Sequence, residues 1–164
     1  MTQFELKVPR ELRRGGKAKD EQASVESGRQ LIQLMCRHFG IPDLGKSSVL
    51  DMGCGCKLVQ ALLHNNLPVG RYVGIDVFPA LIAFLQSNVP DTRFSFHVQN
   101  THNEMYNPHG DPLSAATTLP IAKASFDIIC LFSVFTHLAP HDYVAMLQML
   151  RRYVKPEGKI IFSL

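Results

Sequence analysis

Apolar positions recur along the chain with two alternating periods. Val25, Leu31, Leu34, Met35 and His38-Phe39 approximate helical spacing, and Gly40 ahead of Pro42 marks where that helix stops. Beyond Ser47, short apolar runs alternate with helix-period segments. Ser48–Asp51 reads as a short buried strand, and Lys57–Asn65 as a helix with Leu58, Ala61 and Leu62 on one face. Arg71–Asp76 is a second strand. Pro79 then opens a helix at a position where its missing N–H costs nothing, and the helix runs to about Asn88 with Leu81, Ile82 and Leu85 inward. Arg93–Gln99 alternates through Phe94, Phe96 and Val98, which predicts a third strand near a sheet edge. Phe126–Phe132 is continuously apolar and reads as a central strand. Pro140 opens a last helix carrying Tyr143, Leu147, Leu150 and Val154; Pro156-Glu-Gly158 ends it, and Lys159–Leu164 is a fifth strand.

Two stretches break the alternation. Residues 1–20 are polar, contain Pro9 and Gly15-Gly16, and predict a flexible basic arm ahead of one core domain over 21–164. Residues 100–120 show no period and read as a long loop, a lid or acceptor wall rather than a disordered insertion.

Strands alternating with helices predict an α/β fold. The expected architecture is a Rossmann-like three-layer sandwich with a mostly parallel sheet of order 3-2-1-4-5. Ligands of such sheets bind beyond the carboxyl ends of the strands, where the order reverses. That geometry collects Asp51–Gly55, Asp76, Asn100 and Ser133 around one crevice.

Composition narrows the function classes. An apolar fraction of 46% supports a packed core, and the formal charge is only +3. Much of the positive charge sits in Lys7, Arg10, Arg13, Arg14, Lys17 and Lys19, without interleaved aromatics, so no nucleic-acid partner is expected. No apolar run approaches membrane-spanning length and no hydrophobic signal core is present, which predicts a soluble cytoplasmic protein with no membrane partner. Cys36, Cys54, Cys56 and Cys130 lack the spacing of a disulfide framework, and neither they nor the seven histidines have metal-ligand spacing.

Asp51-Met-Gly53-Cys54-Gly55 falls at the first strand-to-helix turn. Glycines there let the backbone bend sharply and a ligand approach the main chain. Asp51 carries the discrimination. A dinucleotide would set its pyrophosphate against this turn and be repelled by the carboxylate, whereas an ammonium and a sulfonium would be attracted. Asp76 closes the second strand and is placed to accept from both hydroxyls of a ribose. Pro79 makes Phe78 the N-cap of the next helix, so capping accounts poorly for Asp76.

Val49-Leu-Asp-Met-Gly-Cys-Gly55 resembles the first motif of class I S-adenosylmethionine-dependent methyltransferases, and Tyr72-Val-Gly-Ile-Asp76 resembles their ribose-binding strand. Phe126–Leu138 is similar to their fourth strand and its following turn, and Leu150-Arg-Arg-Tyr-Val-Lys-Pro-Glu-Gly158 to the turn before their fifth strand. The resemblance implies S-adenosylmethionine as cofactor, S-adenosylhomocysteine as product and a small-molecule acceptor. It further implies that Asp51, Gly53, Cys54 and Gly55 hold the methionine portion and Asp76 the ribose. Val77 would pack on the adenine, Asn100 would face its amino group, and Ser133 would lie beside the transfer axis. His137, on the turn after the fourth strand, is the candidate base where the acceptor must lose a proton.

Two departures qualify the resemblance. The usual third glycine is replaced here by Cys56-Lys57, and Lys57 is either a partner for the cofactor carboxylate or a solvated lysine at a helix start. The chain also stops at Leu164, without the C-terminal strand pair usual after the fifth strand. A dimer partner or a further segment is then expected to cover that strand's edge. The competing functions are a degenerate module that binds the cofactor without turnover and, disfavoured by Asp51, a nicotinamide dehydrogenase.

Overall fold

The alternation of periods resolves into one sheet between two layers of helices. The computed structural model describes residues 4–13 and 20–164. Strands β1 (Leu44–Met52), β2 (Val69–Asp76), β3 (Phe94–Val98), β4 (Phe126–Leu131) and β5 (Val154–Phe162) pair in the order β3-β2-β1-β4-β5. Every pairing is parallel, as the sequence predicts.

Helices α1 (Glu21–Phe39), α2 (Lys57–His64) and α3 (Pro79–Asn88) pack on one face, over Val49, Tyr72, Ile128 and Cys130. Helix α4 (Pro140–Leu150) covers the other face with Leu119 and Ile121, over Leu50, Val73, Ile75 and Ile129. Both faces of the central strands are therefore dry, which is why their sequences run apolar without alternation. Each fully buried Leu, Ile or Val contributes about 1.5–3 kcal/mol, so these two cores set the stability of the fold.

Three expectations are corrected. In α1 the inward residues are Ser24, Gly28, Ile32 and Met35, while Leu34 is exposed. Small residues face inward because α1 crosses α2 closely: a Cβ on Gly28 would lie 2.1 Å from the Lys57 carbonyl oxygen. Secondly, the described part of the N-terminal segment is packed rather than free. Leu6 and Val8 are buried in the same core as α2, and the Leu6 carbonyl accepts from Gln60 Nε2 at 3.1 Å. The rest of the predicted arm, residues 1–3 and 14–19, lies outside the described residues.

The third correction concerns β5. Helix α4 stops at Leu150, and Val154 opens β5 opposite Phe126 instead of continuing the helix. Pro156 and Gly158 sit inside the strand, where the register shifts between Phe126 and Ile128. A proline is tolerated there because β5 is an edge strand and a bulge leaves one residue unpaired.

At the amino ends of the strands, Asp127 ties three of them together. Its Oδ2 accepts from the Ser48 amide at 2.8 Å and hydroxyl at 2.6 Å, and its Oδ1 pairs with Lys155 Nζ at 2.8 Å. Partial burial pushes this carboxyl up, but the bonds from Lys155 and Ser48 outweigh it and hold the pKa down at about 2. This end of the sheet is a structural clamp, and it leaves the carboxyl ends for the ligand. Among the described residues, no helix is long and apolar enough to cross a membrane.

Candidate functional site

β1 pairs with β2 on one side and β4 on the other, so the strand order reverses at β1 and a crevice opens beyond the carboxyl ends of β1 and β4. Its floor is the turn from β1 into α2. Gly53 and Gly55 both have left-handed backbones, φ 72° and 50°, which a side chain would strain. The amides of Gly53 and Cys54 both donate to the Ile75 carbonyl, at 2.7 and 3.0 Å, and so pin the turn to β2. Space is short as well. A Cβ on Gly53 would come within 2.6 Å of Val134 Cγ2, so the segment after β4 closes directly against the glycine turn.

Asp76 joins the turn to β2. Its Oδ2 accepts from the Gly55 amide at 2.9 Å and its Oδ1 from the Phe78 amide at 3.0 Å. Phe78 is the N-cap of α3, as the sequence predicts. Asp76 is thus not the cap of that helix, as expected, and its bond to the Phe78 amide orders the residues just ahead of it.

Asp51 lies deeper than the sequence implies. It is 2% exposed, below the crevice rather than on its rim. Strand parity explains this: Asp51 aligns with Gly74 and Cys130 on the neighbouring strands and shares a face with Tyr72. The Tyr72 hydroxyl donates to Asp51 Oδ2 at 2.5 Å, and Cys130 Sγ donates to Oδ1 at 3.6 Å. Burial pushes the Asp51 carboxyl up to about 7; the two hydrogen bonds pull the other way, and the nearby Asp76 charge adds to the rise. Cys54 packs on the same part of the sheet, its Sγ 3.0 Å from where a Cβ on Gly74 would lie. Burial first, and then the fields of Asp76 and Asp51, push the Cys54 thiol well above its ordinary pKa. The two acids therefore belong to one cluster beneath and beside the glycine turn.

The remaining predicted residues divide. Val77 follows Asp76 and is partly buried. Ser133 is exposed with φ 60°, and its amide donates to Ser163 Oγ at 2.9 Å, which places it on the rim beside Val134. His137 closes a 3-10 turn over Phe135–His137 on the same segment; its side chain lies outside the described residues. Asn100 is engaged elsewhere. Its Nδ2 donates to Asp111 Oδ2 and its Oδ1 accepts from Asn107 Nδ2, both at 3.1 Å.

These bonds close the base of the 100–120 loop, which has more internal order than its sequence predicts. Isolated bridges join Thr101 to Asp111 and Asn103 to Asn107. Tyr106 comes back to the crevice, its ring 6.1 Å from that of Phe78. The loop thus forms a wall beside the residues that follow β2.

Sequence reasoning missed Tyr72, Cys130 and Tyr106. For Tyr72 a signal existed. A tyrosine inside an otherwise apolar buried strand requires a partner for its hydroxyl, and the acid of the adjacent strand is the available acceptor.

Comparison with known proteins bears directly on this crevice. Residues 50–162 match the family described as "Methyltransferase domain". Over 71 residues the chain is 39% identical to trans-aconitate 2-methyltransferase of Shigella flexneri serotype 5b (strain 8401), a stretch covering 43% of this chain and 27% of that protein. The chain thus spans about a quarter of the length of the curated relatives it matches. Among solved structures, the PH0226 protein of Pyrococcus horikoshii OT3 superposes with a TM-score of 0.59 at 21% identity, covering 86% of this chain and 57% of that one. Phosphoethanolamine N-methyltransferase 1 of Haemonchus contortus, in complex with phosphoethanolamine and S-adenosylhomocysteine, superposes with a TM-score of 0.57 at 16% identity, covering 86% of this chain and 26% of that one. The family match embraces all four strands β2 to β5, the end of β1 and every candidate site residue, and this chain belongs to the methyltransferase domain family, among the class I S-adenosylmethionine-dependent methyltransferases.

Proposed function

We propose that the chain is an enzyme that transfers a methyl group from S-adenosylmethionine to a small-molecule acceptor. The observation that carries this reading is the hydrogen bond from the Gly55 amide to Asp76. It locks an acid at the end of β2 against a glycine turn at the end of β1, and that pairing suits a nucleoside whose ribose donates to the carboxylate while its tail crosses the turn.

The donor set fits the cofactor. Gly53 and Gly55 leave the main chain open, and the Asp76 carboxylate stands beside the turn at the end of β2, where a ribose would lie. Val77 and the Phe78–Tyr106 pair offer apolar surface for the base. Because Asn100 is bound within its own loop, it serves the adenine through the position of that loop more readily than through its amide. Asp51 supplies negative potential from below; an approaching ammonium or sulfonium favours its ionised form, whereas a diphosphate would be repelled.

When bound, the cofactor supplies an electrophilic methyl group on sulfur and leaves as S-adenosylhomocysteine. The protein's share is alignment and exclusion of water, both of which the close approach of Val134 to Gly53 favours. Ser133 borders the transfer axis, and His137 is the proposed base for an acceptor that must lose a proton. The similarity to trans-aconitate 2-methyltransferase supports a small metabolite as acceptor over a nucleic acid. Four free thiols suit a reducing, cytoplasmic setting. Phe162, partly exposed on β5, suits coverage by a second copy or a further segment.

One observation favours a second reading, a module that binds the cofactor without turning it over. Cys56 fills the place of the usual third glycine and is buried at the start of α2. Calorimetric titration with S-adenosylhomocysteine and, separately, NAD checks the main proposal. The expected result is saturable binding of the first and none of the second. NAD binding with no response to S-adenosylhomocysteine would overturn it, and binding without methyl transfer to any acceptor would favour the second reading.

A further inference from the structure

A buried carboxylate is ordinarily paired with a cation. Among the described residues, the groups that bear on Asp51 are neutral or negative. From β2, the Tyr72 hydroxyl donates to Oδ2 at 2.5 Å; from β4, Cys130 Sγ donates to Oδ1 at 3.6 Å. Asp76 closes β2, and Cys54 lies on the turn. The helices over this face direct their charges elsewhere. Glu21 of α1 pairs with Arg13 and Gln60, the fields of Lys57 and Arg13 fall on Cys56, and His64 at the end of α2 meets the Leu6 carbonyl. Helix α3 contains no titratable residue. Both oxygens of the acid are therefore held by donors, and a positive charge is what the arrangement lacks.

Tyr72 is the rigid member of the cluster. Its ring is fully buried and packs against Phe94 and Phe96 of β3, with centroids 5.4 and 6.1 Å away. Neither phenylalanine can donate or accept, so the hydroxyl is kept on Asp51. A hydrogen bond to a charged acceptor is stronger than one to a neutral acceptor, so the phenol favours the carboxylate over the carboxylic acid. Burial opposes that ionisation. Tyr72 thus brings the acid close to ionising without supplying the counter-charge.

Asp51 lies two residues ahead of Gly53, in the turn that ends on the bond from the Gly55 amide to Asp76 at 2.9 Å. The proposed function sets an ammonium at this turn. Given that reading, on which this rests, we infer that Tyr72 is a positioning residue that readies Asp51 to give up its proton when the cofactor's ammonium arrives, so that binding of the amino-acid end releases one proton to solvent. The carboxylate left behind faces the ammonium, and no bond to the cofactor forms or breaks. Because the bound state holds fewer protons, affinity rises with pH through the range in which Asp51 titrates and levels off above it. Burial, which lifts this carboxyl to about 7, puts that range near neutrality.

Calorimetry in buffers of different ionisation enthalpy counts the protons released. Two ligands divide the effect: S-adenosylhomocysteine carries the ammonium, and 5′-methylthioadenosine has the same nucleoside and no amino-acid end. At pH 6 the full chain is expected to release about 0.5–1 proton per S-adenosylhomocysteine bound, falling toward none at pH 8.5, and none with 5′-methylthioadenosine at either pH. Asp51→Asn, which has no proton to give, should release none. Tyr72→Phe keeps the ring and its packing and removes the donor. It should move the rise in S-adenosylhomocysteine affinity up by about one pH unit, which weakens binding about fivefold at pH 7 and restores it to within about twofold at pH 8.5. Its affinity for 5′-methylthioadenosine should stay within about twofold of the parent at every pH. Absence of proton release with S-adenosylhomocysteine, or equal release with both ligands, would overturn the inference. So would a Tyr72→Phe defect that is constant with pH or shared by 5′-methylthioadenosine, since that marks a purely structural tyrosine. Failure of the underlying reading looks different: the parent chain then binds neither nucleoside, and both proposals fall together.

Discussion

Replacing Asp51 by Asn is expected to stabilise the protein at pH 8 and to leave its stability at pH 4 nearly unchanged. The carboxyl is buried, and burial lifts its pKa from the ordinary carboxylate range to about 7. In the unfolded chain the same group releases its proton near pH 4. Between those values the folded state binds more protons than the unfolded one, so this residue's contribution falls as pH rises. It is fully present below about pH 4 and lost once the pH passes 7. A difference of about three pKa units corresponds to about 4 kcal/mol, an upper figure for a buried group with hydrogen-bonding partners. The carboxamide keeps the shape of the side chain and still accepts from the Tyr72 hydroxyl, which donates to Asp51 at 2.5 Å. Urea unfolding of parent and variant from pH 4 to 8 checks this, because the difference between the two curves cancels all other titrating groups. A difference that stays flat across this range would contradict the assignment. Under the proposed function the same substitution weakens S-adenosylmethionine binding, since it removes the negative potential under the turn. A stabilising change that costs function is the usual mark of a strained site.

The second large effect is expected at Asp76. Its carboxylate accepts from the Gly55 and Phe78 amides, at 2.9 and 3.0 Å, so truncation to Ala strands two main-chain donors. Each lost bond to a charged acceptor costs about 1.5–3 kcal/mol, which predicts a clear fall in melting temperature. The ribose would also lose its acceptor, and S-adenosylhomocysteine affinity should drop at least about 100-fold. Asp76→Asn separates the two effects. It keeps one acceptor oxygen for the turn, should fold normally, and should still bind the nucleoside more weakly than the parent. A folded Asp76→Asn variant with parental affinity would contradict the ribose role.

The parts of the fold legible in the sequence were those governed by a single local rule. Two glycines after an apolar run predict the turn that Gly53 and Gly55 make, and Pro79 predicts the start of α3. The strand order followed from connection rules once five strands alternated with helices. Where two rules competed, the local one misled. Val154 continues the helical period of Tyr143, Leu147 and Leu150, but the chain turns at 151–153 and pairing with Phe126 claims Val154 for β5. Pro156 reads as a terminator, yet an edge strand accepts it within a bulge. In the N-terminal segment the clustered charges mask an alternation of Phe4, Leu6 and Val8, whose last two members are buried.

The site shows the same division. Asp51 and Asp76 stand out as candidates in the sequence because each is an acid that closes a strand close to the glycine turn. Their environments do not, because burial depends on partners far away in sequence: Tyr72 and Cys130 for one, and Gly55 and Phe78 for the other. Asn100 illustrates the reverse case. Its position after β3 follows from the strand pattern, but Asn107 and Asp111, which engage its amide, belong to a loop with no period to reveal its folding.

A crystal structure of the chain soaked with S-adenosylhomocysteine tests the central claim most directly. The nucleoside should span the turn at Gly53–Gly55, with its ribose hydroxyls within about 3.2 Å of the Asp76 carboxylate. Density for the nucleoside at any other place, away from Asp76, would contradict the account.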